Sequence, residues 1–584
     1  MNAAARATPR WQYALMAATL ALSALLLFSR LGHYALWDDE AHVALIAESV
    51  WRTGDTSAMI GKNRYAYRGG NDLRNLHTRC LSPLQYYVAA PFVGLAAPPG
   101  ALAARLPFAC VGLALVGLML AWLKRATSEP VEWTIACIAI VCSVSLFLYC
   151  RQCRYYSLAV FFTVLVAYLY WHWQGGRREV ALFALASVLL LASHYIAFAA
   201  CYACLAIDYL LWGIKRYELG WREWAGILVP LVVLGGIIVG IWNPLDKDVD
   251  LVKQPETLAQ KLTLLGWSFR DINLNEFGSL PILAAGVLWS LSRPGVQVSV
   301  RAVLALIVYL AVATALSPQK VALTSVADVR YLVPVIPLCI AASVPVLAAA
   351  SRRRIRIALP LALLAFGSNL VNGGSYAGPR APAPVHLAGF SSTIASYAEE
   401  LLDPPGDPFT PTAEWINRNA ADGASIWVVP DYAMYPLMYH APRGLRLAAR
   451  LAAARSVQGA RPNSLQGPGG ARLRHRVRAG ARPRRDARAV PGRRALRASR
   501  GDRDLLAVDV PAGIVLARLC TGGDVRPGAR RDLYLSPGTG ERALACAVSS
   551  RPSRAGSGAP AGTCAGACSG TPRASSRSTA SCAP

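Results

Sequence analysis

Apolar runs of spanning length alternate with short polar or basic segments from the N-terminus to about residue 371. A run of about 18 residues crosses the hydrocarbon core of a bilayer as a helix. The pattern predicts spans at about 11–29, 101–123, 131–149, 155–173, 223–242, 278–292, 299–316, 331–350 and 356–371. The apolar stretch 179–213 is too long for one span and is divided at Ser193-His194 into two, which makes eleven. The segment 83–97 is short and interrupted by Pro83 and Pro91, and it is expected as an interfacial or re-entrant helix. The predicted class is an α-helical polytopic membrane protein.

Orientation follows from the basic residues, which favour the cytoplasmic side. With Arg6 and Arg10 inside, Lys124-Arg125, Arg177-Arg178, Lys215-Arg216 and the cluster at 352–356 all fall inside. Residues 30–82 and 243–277 become large outer loops of a transmembrane domain covering 1–371. The apolar run after Arg10 is longer than a signal-peptide core and lacks a small-residue cleavage site, so it is expected to be retained.

Residues 372–448 change pattern. "PTAEWINRNA" predicts a helix, "SIWVV" (425–429) a strand and "DYAMYPLMYH" a second helix, together a small, incomplete extracytoplasmic α/β domain. From about 449 to 584 Arg, Ala, Gly, Pro and Ser dominate. Residues 451–584 hold 24 Arg, no Lys and 7 acids, and so supply +17 of the chain's net +27. Such a composition cannot bury enough apolar surface to offset chain entropy. The tail is expected to be disordered and basic, or out-of-frame translation of GC-rich DNA; the abrupt loss of Lys and aromatics favours the second. Because so much of the charge lies here, it is no argument for nucleic-acid binding.

Fourteen cysteines lie mostly within apolar runs, where thiols act as small hydrophobes. Cys150/Cys153 and Cys201/Cys204 have C-x-x-C spacing without a thioredoxin-like βαβ context. No His/Cys/carboxylate set has ligand spacing, so no cofactor is expected, and need for a divalent metal is left open.

The chemistry concentrates in the outer segments. "WDDEAHVALIAESVWRTGD" (37–55) places Asp38, Asp39 and Glu40 at the start of a helix, with Asp39, His42, Val43 and Ile46 on one face. Each carboxylate at the bilayer centre would cost roughly 2.5–3.5 kcal/mol, so the acids belong outside. Helix capping and solubility explain them on spacing alone. Other outer mouths carry Arg151 and Arg154 ("YCRQCRYYSL"), His194 ("SHYIAF"), and Lys320 and Arg330 before "YLVPVIP". Basic groups recurring opposite an acidic patch suggest one cavity, with the arginines as a fork for a lipid phosphate. Snorkelling, or pairing with the acids, is the plainer alternative.

These motifs, in this order, resemble those of polyprenyl-phosphate-sugar-dependent glycosyltransferases of the GT-C fold (glycosyltransferase family 39 and relatives), among them protein O-mannosyltransferases and lipid A aminoarabinose transferases. The resemblance runs over roughly residues 10–445 and includes "SPLQYYV", "RYLVPVIP" and "TAEWINRNAADGASIWVVPDYAMYPLMYH". It implies Asp39 as the catalytic carboxylate, with Glu40 as its neighbour. It implies Arg151, Arg154, Arg330 and Lys320 as donor-phosphate contacts, and His42, Arg79, Tyr155, His194 and Tyr331 as donor or acceptor contacts. Some relatives have Arg where this chain has His42, and the family's basic residue before "YY" falls here to His77 or Arg79. The implied reaction is inverting transfer of a sugar from a polyprenyl-phosphate donor to an acceptor hydroxyl on protein, glycolipid or wall glycan, outside a bacterial inner membrane. A lipid transporter or flippase would instead place ionisable groups at mid-span and show inverted repeats. A lipid-binding scaffold would need no Asp39.

Overall fold

The computed structural model describes residues 9–449 apart from short stretches, chiefly 65–72, 244–255, 289–296 and 372–391, together with two strands at 505–510 and 513–520. The first ten helices in chain order are α1 (Arg10–Phe28), α2 (Asp38–Thr53), α3 (Leu84–Leu95), α4 (Ala101–Ala126), α5 (Pro130–Cys142), α6 (Val144–Cys150), α7 (Tyr156–Trp171), α8 (Arg177–Ser193), α9 (Tyr195–Asp208) and α10 (Trp221–Ile241). Further helices span Leu258–Asn275, Gln297–Leu316, Ile336–Ala350, Ile355–Phe366, Thr393–Leu402, Phe409–Asn419 and Met434–His440.

Among the described residues, five helices are long and apolar enough to cross a membrane: α1, α4, Tyr195–Gly213, α10 and Val333–Ala350. The pair α5 and α6 makes a sixth if taken as one span bent by 51°. Tyr156–Trp171, Val300–Leu316 and Ile355–Phe366 are shorter apolar helices. Much of the expected 278–292 span lies outside the described residues. On α10, Leu228, Val229, Val232 and Val233 are exposed side by side, a face that suits lipid rather than water. The chain is a polytopic, mainly helical membrane protein.

Two breaks interrupt the apolar helices. At Ser143 the hydroxyl bonds back to the Ala139 carbonyl (2.9 Å), competing with the helix ladder where α5 gives way to α6. At His194 the backbone is extended and Nδ1 accepts from the Ala197 amide (3.1 Å), capping α9. The second break falls where the sequence divides the long apolar stretch.

α2 begins with the three acids and ends at Gly54, whose φ of +78° suits glycine and closes the helix onto the Val50 carbonyl. It packs along α3. A Cβ at Gly94 would lie 2.1 Å from the Trp51 ring, so the small residue sets how closely α3 approaches α2. α3 has 12 residues, about 18 Å of rise against a core of roughly 30 Å, too short for a span.

The α/β pattern expected near the C-terminal end is present as helix Phe409–Asn419, strand Ser425–Val428 and helix Met434–His440. It is not separate from the membrane unit. Ile416, Ile426, Tyr435 and Leu437 share one buried core with Leu36, Val43 and Ile46 of the α2 region and Tyr86 of α3. The Ala35 amide donates to Asp407 (3.2 Å) and the Leu36 amide to His440 Nε2 (3.1 Å). Strand Ser425–Val428 pairs in parallel with Arg446–Ala449 and antiparallel with Gly513–Cys520, which pairs with Leu505–Val510. These last two strands come from the segment expected to contribute no fold; the remainder of that tail lies outside the described residues.

Candidate functional site

The first turn of α2 points its acids two ways. Asp39 Oδ2 lies 2.9 Å from Arg330 Nη1 and 3.2 Å from Arg154 Nη2. Arg154 also donates from Nη1 to the Asp39 carbonyl (3.1 Å). Arg154 is buried, and its Nε has no hydrogen-bond partner among the described residues. Tyr155 stacks on His194 (centroids 4.3 Å apart, planes 11° apart), and His194 faces Tyr331 at 5.9 Å. Asp39, Arg154, Tyr155, His194, Arg330 and Tyr331, drawn from four distant segments, therefore form one cluster. The Asp271 carboxylate accepts from the Ala327 amide (2.6 Å) and so anchors the loop that delivers Arg330.

Glu40 has another task. It is wholly buried, and its carboxylate takes both Nε (2.8 Å) and Nη2 (2.5 Å) of Arg105 and the Cys153 amide (2.8 Å). Arg105 donates further to the Leu31, Tyr34 and Ala35 carbonyls (3.1, 2.8 and 3.1 Å). Glu40, expected beside Asp39 as a catalytic residue, has its oxygens committed here, and it ties the 31–35 loop, α2, α4 and the 151–155 turn together. The sequence reading missed Arg105. Its signal was a lone arginine in the first turns of an apolar span, which demands an anionic partner.

Arg151 is also redirected. It donates to the Leu26 and Ser29 carbonyls (3.3 and 2.6 Å) and to the Tyr397 hydroxyl (2.8 Å), so it does not form a fork with Arg154. Arg79 pairs with both oxygens of Asp55 (2.7 and 2.6 Å) and lies over the Trp242 ring at 5.3 Å, with His77 Nε2 3.5 Å from the same carboxylate. The Arg79 hydrogen bonds hold Asp55 below its usual range. His42 is buried in the α2–α3 core with its ring 5.9 Å from that of Tyr86. Lys320 lies in the loop between helix Gln297–Leu316 and Arg330.

Among the solved structures similar to this chain are two of one protein. One is ArnT from Cupriavidus metallidurans bound to undecaprenyl phosphate, with a TM-score of 0.49 and 15% identity, covering 76% of this chain and 87% of that one. The other is ArnT from Cupriavidus metallidurans in the apo state, with a TM-score of 0.43 and 16% identity, covering 74% and 75%. No family model and no curated protein matches the chain.

Among the described residues no group of three or more His, Cys, Asp or Glu side chains is placed to hold a metal ion. Cys150, Cys153, Cys201 and Cys204 are buried and unpaired. A second buried carboxyl that sequence reading missed is Glu276, which accepts from the Ser145 amide (3.1 Å) beside the α5–α6 break.

His440 makes the site's scaffold sensitive to pH. Burial, with the Arg105 charge adding to it, holds the imidazole down at about 4 from 6.5. The unfolded chain takes up this proton near 6.5 and the folded chain only near 4. The contribution is therefore complete above 6.5 and is lost as pH falls from 6.5 to 4, by about 1–3 kcal/mol. Thermal unfolding of the detergent-solubilised protein across this window should fall more steeply for wild type than for His440→Gln. Parallel curves would remove His440 from the linkage.

Proposed function

We propose that the chain is a membrane glycosyltransferase. It moves a sugar from a polyprenyl-phosphate donor to an acceptor hydroxyl on the extracytoplasmic side of a bacterial inner membrane, with inversion at the anomeric carbon. The observation that carries the proposal is Asp39 held between Arg154 and Arg330, beside the Tyr155–His194–Tyr331 stack. Two guanidinium groups converging on one carboxylate oxygen, one of them buried with a spare N–H, form a site for a phosphate.

A donor phosphate entering this site takes N–H donors from Arg154 and Arg330 and frees the Asp39 carboxylate. Asp39 then accepts the proton of the acceptor hydroxyl while that oxygen attacks the anomeric carbon from the face opposite the phosphate. The bond from the anomeric carbon to the phosphate oxygen breaks with its electron pair going to that oxygen, and the negative charge that develops on the phosphate is met by the two arginines. The leaving phosphate monoester is acidic enough to depart unprotonated. Membrane lipids surround the donor's polyprenyl chain. Lys320 is a further candidate contact to the phosphate.

Arg154→Gln and Arg330→Gln are expected to raise donor KM and lower kcat together, since the phosphate charge exists before the transition state and grows in it. Arg151→Gln is expected to cost stability with little change in donor KM, because its donors serve α1 and Tyr397. Transfer of radiolabelled sugar by purified variants separates these outcomes. A donor KM that moves with Arg151 and not with Arg154 or Arg330 would put the phosphate elsewhere.

A further inference from the structure

A cavity of about 280 Å³ opens beside the N-terminus of α2, and none of the residues of the Asp39 cluster lines it. Its walls come from the loop after α1 (Arg30, Tyr34, Trp37), the end of α6 and the turn after it (Gln152), and the segment following helix Thr393–Leu402 (Asp407), with Glu400 from that helix itself. The Glu40–Arg105 and Arg151–Tyr397 pairs close the rest.

The charge on this lining balances: Arg30, Arg105 and Arg151 stand against Glu40, Glu400 and Asp407. Most of these groups are already engaged. Arg105 and Glu40 hold each other, Arg30 donates to the Leu402 carbonyl (3.3 Å), and Asp407 accepts from Ala35, Phe409 and Thr410. Such a chamber selects neither a phosphate nor an ammonium group. Gln152 puts an amide side chain on this lining, and its Oε1 has no hydrogen-bond partner among the described residues. The lining also offers the aromatic rings of Trp37, Tyr34 and Tyr397. An amide side chain and aromatic side chains on a lining with no net charge suit a neutral ring bearing several hydroxyls.

We infer that this chamber seats a neutral sugar ring of the acceptor. Trp37 and Glu40 belong to the turn that carries Asp39, and Gln152 lies two residues before Arg154, so a ring held here sits beside the reacting turn. The inference rests on the transferase reading above and adds that the acceptor is a neutral glycan, in preference to a charged headgroup or a Ser/Thr peptide.

Saturation-transfer NMR on the full chain in detergent, with neutral methyl glycosides as probes and glucose 6-phosphate, glucosamine and a Ser/Thr peptide as comparators, tests it. The neutral glycosides are expected to bind wild type and Asp39→Asn alike. Trp37→Ala and Gln152→Leu are each expected to weaken binding about three- to tenfold and to raise acceptor KM without moving donor KM. If Trp37→Ala fails to fold, Gln152→Leu, close in size, decides. Absent binding to wild type, stronger binding of a charged sugar or the peptide, or full affinity in Gln152→Leu overturns the inference. Glycoside binding that depends on Gln152, in a protein that transfers no sugar, leaves the chamber standing and removes the transferase reading. Transfer with acceptor KM unmoved in both variants does the reverse.

Discussion

Asp39→Asn should leave the donor lipid bound and lower turnover by roughly 100-fold or more, the range of a lost general base. Asparagine keeps the size of aspartate and an oxygen for one arginine, so the first turn of α2 stays folded. It cannot take a proton, and the acceptor hydroxyl must then attack undeprotonated. Removing the carboxylate also leaves Arg154 and Arg330 facing each other without an anion between them, at positions now 2.9 and 3.2 Å from Asp39 Oδ2. Donor KM is therefore expected to stay level or fall while kcat drops, and the acidic limb of the pH–rate profile should disappear. A variant with near-normal kcat would take Asp39 out of the reaction and restore the lipid-binding scaffold as the better account.

Arg105→Leu should destabilise the protein by about 3–5 kcal/mol, because it strands the buried Glu40 carboxylate. Glu40 has no exposed surface, and Arg105 supplies two of its hydrogen bonds. The same change frees the Leu31, Tyr34 and Ala35 carbonyls, so the loop that leads into α2 loses its anchor. Combining Arg105→Leu with Glu40→Leu should recover part of the loss, since no buried charge is then left alone. Unfolding temperature in one detergent, measured for the two single variants and the double variant, gives the comparison. If Arg105→Leu matches wild type, the pair does not hold the loop that leads into α2.

Local features of the chain were legible from pattern alone. The acids open α2 because a helix N-terminus favours them, the long apolar stretch breaks at His194, and the segment 409–440 alternates helix and strand as its periodicity indicates. Of the candidate site residues, Asp39, Arg154, Tyr155, His194, Arg330 and Tyr331 come together. Glu40 and Arg151 lie apart from this cluster for two physical reasons. Adjacent helical residues diverge by about 100°, and only the distant Arg105 decides which acid turns inward. Arg151 and Arg154 look one helical turn apart, yet α6 ends at Cys150 and α7 begins at Tyr156, so the intervening turn sends the two side chains apart. The docking of segment 407–440 onto α2 rests on contacts such as Leu36 with His440, which no local pattern encodes.

The central claim is that this protein transfers a lipid-linked sugar, and one measurement addresses it most directly. Purified protein is incubated with polyprenyl-phosphate-linked radiolabelled sugar and a cell-envelope acceptor fraction, and the label and the released polyprenyl phosphate are followed together. The account predicts that label passes to the acceptor in step with release of polyprenyl phosphate, and that Asp39→Asn nearly abolishes both. Label that stays on the lipid with active wild-type protein, or that reaches the acceptor only from a nucleotide sugar, would contradict it.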